Sequence, residues 1–137
     1  MKISTEYPPN INDIKKVFPN LEKHKPLFAY GDTIYNPFKA EIRPDLEHHE
    51  STHSKQQGDY PEVWWYKYLT NQQFRLEQEI EAYGEQYLFA IKAGVKGKMK
   101  DWLKEKLAQS LSGELYGNLL TYGEAESKLR NYVKTNS

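Results

Sequence analysis

Apolar residues recur at helical spacing in the middle of the chain and predict one long helix over residues 72–93. The expected buried stripe consists of Ile80, Tyr83, Tyr87 and Ile91. Asn71 provides an N-cap side chain in front of this helix, and Gly94 is placed to end it. The helix is therefore expected to pack one face against the core.

Proline, glycine and capping residues delimit the other helices. The predicted helices cover residues 44–57, 61–69, 98–111 and a last segment that begins at Thr121. Pro44 and Pro61 stand at first helical positions, where proline is favoured, and Gly58 ends the first of these helices. Thr121 and Glu124 have the spacing of a capping box, which fixes the start of the last helix.

Two short β-prone runs, residues 27–30 and 33–36, flank the pair Gly31 and Asp32. A glycine-containing pair between two such runs predicts a hairpin with a two-residue turn. The run 33–36 is either an ordinary edge strand or a strand to which an extended peptide substrate adds, and the pattern leaves both open.

The segment before the hairpin carries the weakest pattern. Residues 1–25 are rich in turn formers and contain one short amphipathic stretch, residues 13–18. A little β structure followed by several helices predicts an α+β, mostly helical fold. A chain of 137 residues is expected to form a single domain, residues 1–137.

The predicted helix 44–57 is unusual because its inward face would carry only one aliphatic residue. That face consists of Leu46, His49, Glu50, His53 and Gln57. Apolar burial cannot hold such a helix in place, so a bound metal is expected to supply the missing stabilisation. The alternative is a solvated polar helix that contains histidines by chance. Three of the four histidines of the chain fall within six positions, which favours metal ligation.

His49 and His53 have the HExxH spacing, which places two imidazoles one turn apart on one helix face. One zinc ion can bind both rings. Glu50, which follows the first histidine, would then act as the general base for a zinc-activated water.

A catalytic zinc site needs a third protein ligand. The carboxylates available on the long helix are Glu77, Glu79, Glu81 and Glu85. Glu79 and Glu81 lie about 100° to either side of the apolar stripe, so both cannot face one ion, and helical geometry does not choose between them. The other histidines compete weakly, since His24 falls on a loop and His48 points away from the HExxH face.

The HESTH motif at 49–53, followed by Glu79 and Ala82 in a Glu-x-x-Ala context, resembles the compact gluzincin metallopeptidases. It is similar to the ImmA/IrrE-type and CAAX-protease-type peptidases in this respect. The resemblance implies that Glu79 is the third ligand, with Glu81 as the fallback. The chain departs from the pattern at Tyr83, where those families usually carry Asp or Asn.

A second resemblance covers most of the chain. The matching strings are FAYGDTIY at 28–35, QQ at 56–57, WW at 64–65, FR at 74–75, QE and EAY between 78 and 83, and LYGN at 115–118. Together they resemble small phage-encoded HExxH proteins. This resemblance implies a minimal zincin-like domain, in which a short β-hairpin packs on the HExxH helix and a second helix bears the glutamate.

These resemblances imply a zinc-dependent metallopeptidase that acts on a peptide or protein. The implied zinc ligands are His49, His53 and Glu79. Glu50 would accept a proton from the zinc-activated water and pass it to the leaving amine. The oxyanion needs a further donor, and the candidates are Tyr83 and Tyr116.

Composition narrows the possible partners and location. The chain has 19 basic residues (Lys and Arg) and 19 acidic residues (Asp and Glu). It therefore has no net positive charge that would attract nucleic acid or an anionic membrane. The absence of cysteine excludes thiolate zinc sites and disulfides and suits a reducing compartment. Residues 1–9 lack the apolar core of a signal peptide, and no run approaches a membrane span. We expect a cytoplasmic protein, in the host cytoplasm if it is phage-encoded.

Two further features leave other functions open. Residues 92–106 carry six lysines against Asp101 and Glu105, a local charge of +4 that suits phosphate contacts or an acidic partner, although lysines on a helix are usually only solvated. The aromatic residues of the predicted helix 61–69 either line a cleft or partner surface or pack in the core: Trp64, Trp65, Tyr66 and Tyr68. The core is favoured for the two tryptophans, because adjacent helical residues point about 100° apart. The alternatives to a peptidase are a zinc-stabilised phage virion, assembly or partner-binding protein without catalysis, and, less favoured, a nucleic-acid-binding module that uses residues 92–106.

Overall fold

Strands and helices mix in the first third of the chain, and helices fill the rest. The computed structural model describes residues 1–137. The strands are β1 (Lys2–Ser4), β2 (Phe28–Tyr30) and β3 (Thr33–Tyr35), and the helices are α1 (Ile11–Val17), α2 (Leu21–His24), α3 (Pro44–Gln57), α4 (Pro61–Thr70), α5 (Gln72–Lys92), α6 (Gly97–Leu111) and α7 (Tyr122–Asn136), with a 3-10 turn at Glu114–Tyr116. This architecture confirms the predicted α+β, mostly helical class.

Helix ends follow the capping signals of the sequence. Pro44 begins α3, and Gly58 ends it with a positive φ of 57° that glycine adopts readily. Thr121 and Glu124 form both hydrogen bonds of the capping box at the start of α7. The Asn71 side chain accepts the Phe74 backbone N–H at the start of α5. The predicted and observed helices that these residues delimit agree to within about one residue.

The sheet corrects the prediction for the segment 33–36. β3 is the central strand, because β1 pairs with it in parallel on one side and β2 pairs with it antiparallel on the other. An extended peptide therefore cannot add to β3, and the interpretation of 33–36 as an edge strand was wrong. The sequence did not reveal β1, since a three-residue strand whose Ile3 is 53% exposed carries no alternation of buried and exposed positions.

The apolar core is divided into two clusters. One joins α5, α6 and α7 through Tyr87, Leu107, Leu111 and Leu129, among others. The other joins α1, α2, β2 and α4 and contains Ile14, Phe28, Trp64 and Trp65, which confirms that both tryptophans are core residues. Helix α3 packs against α5, α4 and β2.

The buried residues of α3 are all polar: His49, Glu50, Thr52, His53 and Gln57. Leu46, the one aliphatic residue of the predicted inward face, is only half-buried. The side of α3 that faces the interior therefore carries polar rather than apolar side chains, as the sequence predicts. None of the seven helices combines the length and apolar character needed to cross a membrane.

Candidate metal centre

The HExxH residues of α3 form a buried cluster that can hold a metal ion. His49, Glu50 and His53 are 4%, 6% and 5% exposed, and one potential ligand atom from each lies within 4.8 Å of the others. The histidine rings are 4.9 Å apart and nearly perpendicular. Their one-turn separation on the helix brings the two rings to the same place.

Glu79 of α5 completes the cluster from the opposite side. Its Oε1 lies 3.2 Å from His49 Nε2, and its Oε2 lies 3.2 Å from His53 Nε2. A tetrahedral zinc ion with bonds of about 2.1 Å separates neighbouring ligand atoms by about 3.4 Å. The spacing of these nitrogen and oxygen atoms therefore fits zinc coordination without a large movement.

Glu81 lies outside this cluster. Its Oε1 accepts a hydrogen bond from Gln56 Nε2 at 2.8 Å, and Gln56 Oε1 in turn faces His53 Nδ1 at 2.8 Å. Helical geometry did not choose between the two glutamates. In the structure Glu79 contacts both imidazoles, whereas Glu81 bonds to Gln56, which contacts His53.

Two glutamine side chains orient the imidazoles. Gln86 Oε1 lies 2.9 Å from His49 Nδ1, and Gln86 Nε2 donates to Asp45 Oδ2 at 2.9 Å. Since the Asp45 carboxylate can only accept, the amide of Gln86 must present its oxygen to His49. Gln56 is fixed in the same way, because its Nε2 donates to the Glu81 carboxylate.

These contacts determine where the free electron pairs of the histidines point. An amide oxygen beside Nδ1 requires Nδ1 to carry a proton, so Nε2 is the atom that donates to Glu79 when it is protonated and that can bind a metal once it has lost its proton. Both Nε2 atoms face the Glu79 carboxylate. Metal-binding histidines in proteins are held by this kind of outer contact, so the donor set fits a metal.

Burial and charge shift the pKa values in the site. Burial alone would raise the pKa of Glu79, but the charge of His53 and hydrogen bonds from both imidazoles outweigh it and hold that pKa well below its usual range. Burial would lower the pKa of His53, and the Glu79 carboxylate outweighs this and raises it to about 9. In the metal-free site, Glu79 is therefore an anion that stabilises a protonated His53.

Glu50 has the opposite balance. Its burial raises its pKa, and the neighbouring His49 and His53 and the backbone N–H of Ala29 only partly oppose this effect. A carboxylate whose pKa is shifted upward is a better proton acceptor than an exposed one.

Three tyrosines extend the cluster away from α3. Tyr68 donates to Glu79 Oε2 at 2.6 Å, and Tyr116 donates to Glu79 Oε1 at 3.3 Å. The Tyr83 hydroxyl lies 2.8 Å from that of Tyr116, and the Tyr83 ring packs against the His49 ring at 4.4 Å. Of the two tyrosines proposed from the sequence, Tyr116 thus contacts the cluster through its hydroxyl and Tyr83 is one hydrogen bond further away.

Sequence reasoning missed Tyr68, Gln86 and Asp45. Tyr68 lies in an aromatic helix and is one of 11 tyrosines, so nothing local distinguishes it. Gln86 and Asp45 are common residue types whose partners lie on other helices. The one local signal is that Gln86 falls seven residues after Glu79, two turns along the same helix face.

The outer edge of β2 is occupied by side chains around the cluster. The Ala29 carbonyl accepts hydrogen bonds from Gln57 Nε2 at 2.7 Å and Trp65 Nε1 at 3.1 Å, while its N–H bonds to Glu50. Gly31 N–H donates to Gln57 Oε1 at 2.7 Å. These bonds fasten α3 to the sheet and leave no free backbone groups at Ala29 for an added strand.

The cluster is reached from two sides. A cleft of about 470 Å³ is lined by His49, Glu50, Tyr83 and Tyr116, together with Leu27 and the end of α6. Lys106, one of the six lysines of residues 92–106, also lines this cleft. A smaller, mostly apolar cavity of about 60 Å³ is lined by both histidines, Glu50 and Glu79, and its apolar wall includes Phe28, Trp64 and Leu115.

Comparisons with known protein families, curated proteins and solved structures yield no match. The resemblance to gluzincins and to small phage-encoded HExxH proteins therefore stays a prediction. The chain has a buried His-Glu-x-x-His cluster, formed by His49, Glu50 and His53, which can bind a metal ion.

Proposed function

We propose that this chain is a zinc-dependent metallopeptidase. The observation that carries the proposal is the convergence of His49 Nε2, His53 Nε2 and the Glu79 carboxylate beside Glu50, where His49 and Glu50 also line a cleft. Two histidines and one carboxylate are a recurrent ligand set of catalytic zinc. A general base next to a metal and a cleft is the arrangement that hydrolysis of a carbonyl bond requires.

In this proposal His49, His53 and Glu79 hold the metal. Zinc bound there supplies Lewis acidity, which polarises a carbonyl and makes water more acidic. Glu50 accepts a proton from water in the cleft and returns it to the leaving amine. Its raised pKa, caused by burial, suits both transfers.

In this proposal Tyr116 and Tyr83 stabilise the negative charge that develops on the carbonyl oxygen of the substrate. Tyr116 lies on the cleft wall, and its hydroxyl is already directed at the acidic side of the cluster. Tyr83 contacts the Tyr116 hydroxyl and holds it in place. We assign Tyr116 the donor role and Tyr83 the role of positioning it.

A metal with a purely structural role is the second candidate, and one observation favours it. Helix α3 buries no apolar side chain, so a metal that joins α3 to α5 would stabilise the fold whether or not it catalyses a reaction. The two functions differ in the coordination of the metal, since a structural site is closed and a catalytic site keeps one position open.

The experiment that separates them uses the cobalt-substituted protein. We expect about one metal per chain, and we expect acetohydroxamate to change the visible spectrum of the cobalt because it enters the open position. A spectrum that acetohydroxamate leaves unchanged would support the structural role. Failure of zinc and cobalt to bind at all would contradict both candidates.

Activity is then tested on a mixture of peptides by mass spectrometry. The Glu50→Gln variant is the matched control, because it keeps all three ligands and lacks the base. Cleavage by the wild type that Glu50→Gln abolishes, with zinc content unchanged, would support the peptidase. Cleavage that persists in Glu50→Gln would contradict the role of Glu50.

A further inference from the structure

A second cleft, which shares Tyr116 with the cleft at the metal cluster, contains a buried arginine. The cleft has a volume of about 770 Å³ and lies between the turn after α1, the α4–α5 junction and the 3-10 turn. Arg75, in the first turns of α5, is only 5% exposed and lines this cleft. Buried arginines are usually paired with a carboxylate.

Arg75 forms no ion pair. Its Nε donates to the Tyr68 carbonyl at 2.9 Å and its Nη2 donates to the Leu69 carbonyl at 3.2 Å, and these are the only hydrogen bonds of its side chain. Its guanidinium lies over the rings of Phe18 and Tyr68, with its carbon 4.8 Å and 5.5 Å from their centres. These contacts hold the plane of the group rigidly, and the charge has a longer-range attraction to the Glu79 carboxylate without a direct ion pair.

The remaining donor group of the Arg75 side chain, which lines the cleft, is the Nη1 amino group. It bonds to no protein group, and the only sealed polar side-chain atoms without partners belong to Asn10 and His24. Nη1 is therefore unpartnered but accessible. The one carboxylate on the cleft wall, that of Glu114, is held by Asn20 at 2.7 Å and Lys23 at 2.9 Å.

The start of α5 adds a second source of positive potential to the same cleft. Gln72 and Asn71 line it, and the N–H groups of Gln72 and Gln73 precede the first intrahelical hydrogen bond. No acidic residue lies in the first turn of this 21-residue helix, so its dipole has no local counter-charge.

We propose that this cleft binds an oxyanion group, a phosphate or a carboxylate, between Arg75 and the first turn of α5. Arg75 donates from Nη1, and the amide of Gln72 donates from the helix end. Planar guanidinium groups and helix N-termini both favour such anions. The site does not depend on the metal cluster or on peptidase activity.

The test is a titration of the whole wild-type chain with inorganic phosphate at constant ionic strength, followed by 1H–15N NMR. Saturable shifts are expected for the amide of Gln72 and for the Arg75 Nε–H. Shifts that stay linear with concentration, or that fall only on the lysines of residues 92–106, would overturn the proposal. This titration uses the wild-type chain alone, so it tests the proposal even if a substitution at Arg75 prevents folding.

Variants refine the result. Arg75→Gln is expected to weaken phosphate binding about tenfold or more, because a charge-assisted hydrogen bond is lost. Arg130→Gln is the matched control, since Arg130 is an exposed arginine paired with Glu126 on α7, and it should bind phosphate as the wild type does. Equal binding by a folded Arg75→Gln would overturn the proposal.

A parallel titration with acetate identifies the source of the anion. Stronger binding of phosphate indicates a phosphorylated ligand, and equal or stronger binding of acetate indicates a carboxylate. Either preference supports the site, and no saturable binding of either ion would overturn it.

Discussion

Glu79 Oε2 lies 3.2 Å from His53 Nε2, although the two residues belong to different helices. Glu79 Oε1 stands at the same distance from His49 Nε2, so one carboxylate spans both imidazoles. The candidate metal site therefore lies at the contact between α3 and α5. The rotation of α5 about its axis places Glu79 opposite the histidines, so contacts that fix this rotation are expected to affect metal affinity.

Substitution of Glu79 and of Glu81, one at a time, should show which of the two glutamates is a zinc ligand. Glu79→Gln is expected to lower zinc content well below one ion per chain, because a carboxylate that faces both imidazoles is lost. Glu81→Gln should keep zinc, since the Glu81 contact is with Gln56. Elemental analysis of the purified variants measures both. Full zinc in Glu79→Gln together with loss in Glu81→Gln would reverse the assignment.

Loss of the outer contact of His49 should weaken the metal site without removing a ligand. Gln86→Leu is expected to reduce zinc affinity about 10–100-fold, because the ring would lose the acceptor that fixes its Nδ1 proton. Competition with a chelator measures the change. Gln73→Leu is the control, since Gln73 is exposed and bonds only to Glu77. Equal zinc affinity in the two variants would contradict an orienting role for Gln86.

Zinc binding should release a proton at neutral pH. The pKa of His53 is raised to about 9 in the metal-free protein, so the ring is protonated below that pH and must lose the proton before it can bind. Zinc affinity should therefore increase with pH and level off above about pH 9. Proton release can be measured by calorimetry in buffers of different ionisation enthalpy.

The same shift has a consequence for the metal-free protein. Since the pKa of folded His53 lies above its ordinary value of 6.5, the stabilisation is fully present below about pH 6.5 and is lost as pH rises through about 9. The contribution of the His53–Glu79 pair to the free energy of unfolding should thus fall over this range. A contribution that grew as pH rose from 7 to about 9 in urea titrations would contradict the assignment.

Gly84 should be intolerant of any side chain. A Cβ at this position of α5 would overlap the ring of Tyr132 on α7. Gly84→Ala is expected to lower the free energy of unfolding by about 1–3 kcal/mol, because the two helices would have to move apart. Urea denaturation measures the change.

Gly123 provides the matched control for that experiment. It is also helical, but a Cβ there meets no atom within 4 Å. Gly123→Ala should be neutral or stabilising by up to about 1 kcal/mol, through the better helix propensity of alanine. Destabilisation of similar size in both variants would show that close approach of Tyr132 is not the cause.

Local sequence determined the helix ends and half of the metal cluster. Pro44, Gly58 and the Thr121–Glu124 pair act through backbone geometry and neighbouring hydrogen bonds, so their effect can be predicted without the fold. The pairing of His49 with His53 is equally local, because any helix brings residues four apart to one face.

Tertiary structure decided the rest of the site. The choice of Glu79 over Glu81 depends on how α5 is rotated against α3, and periodicity leaves that rotation undetermined when both glutamates flank the apolar stripe. The hydroxyl of Tyr68 on Glu79 and the central place of β3 arise the same way, from contacts between distant segments. Side-chain spacing along one element carries no information about which other element will meet it, and only packing supplies that.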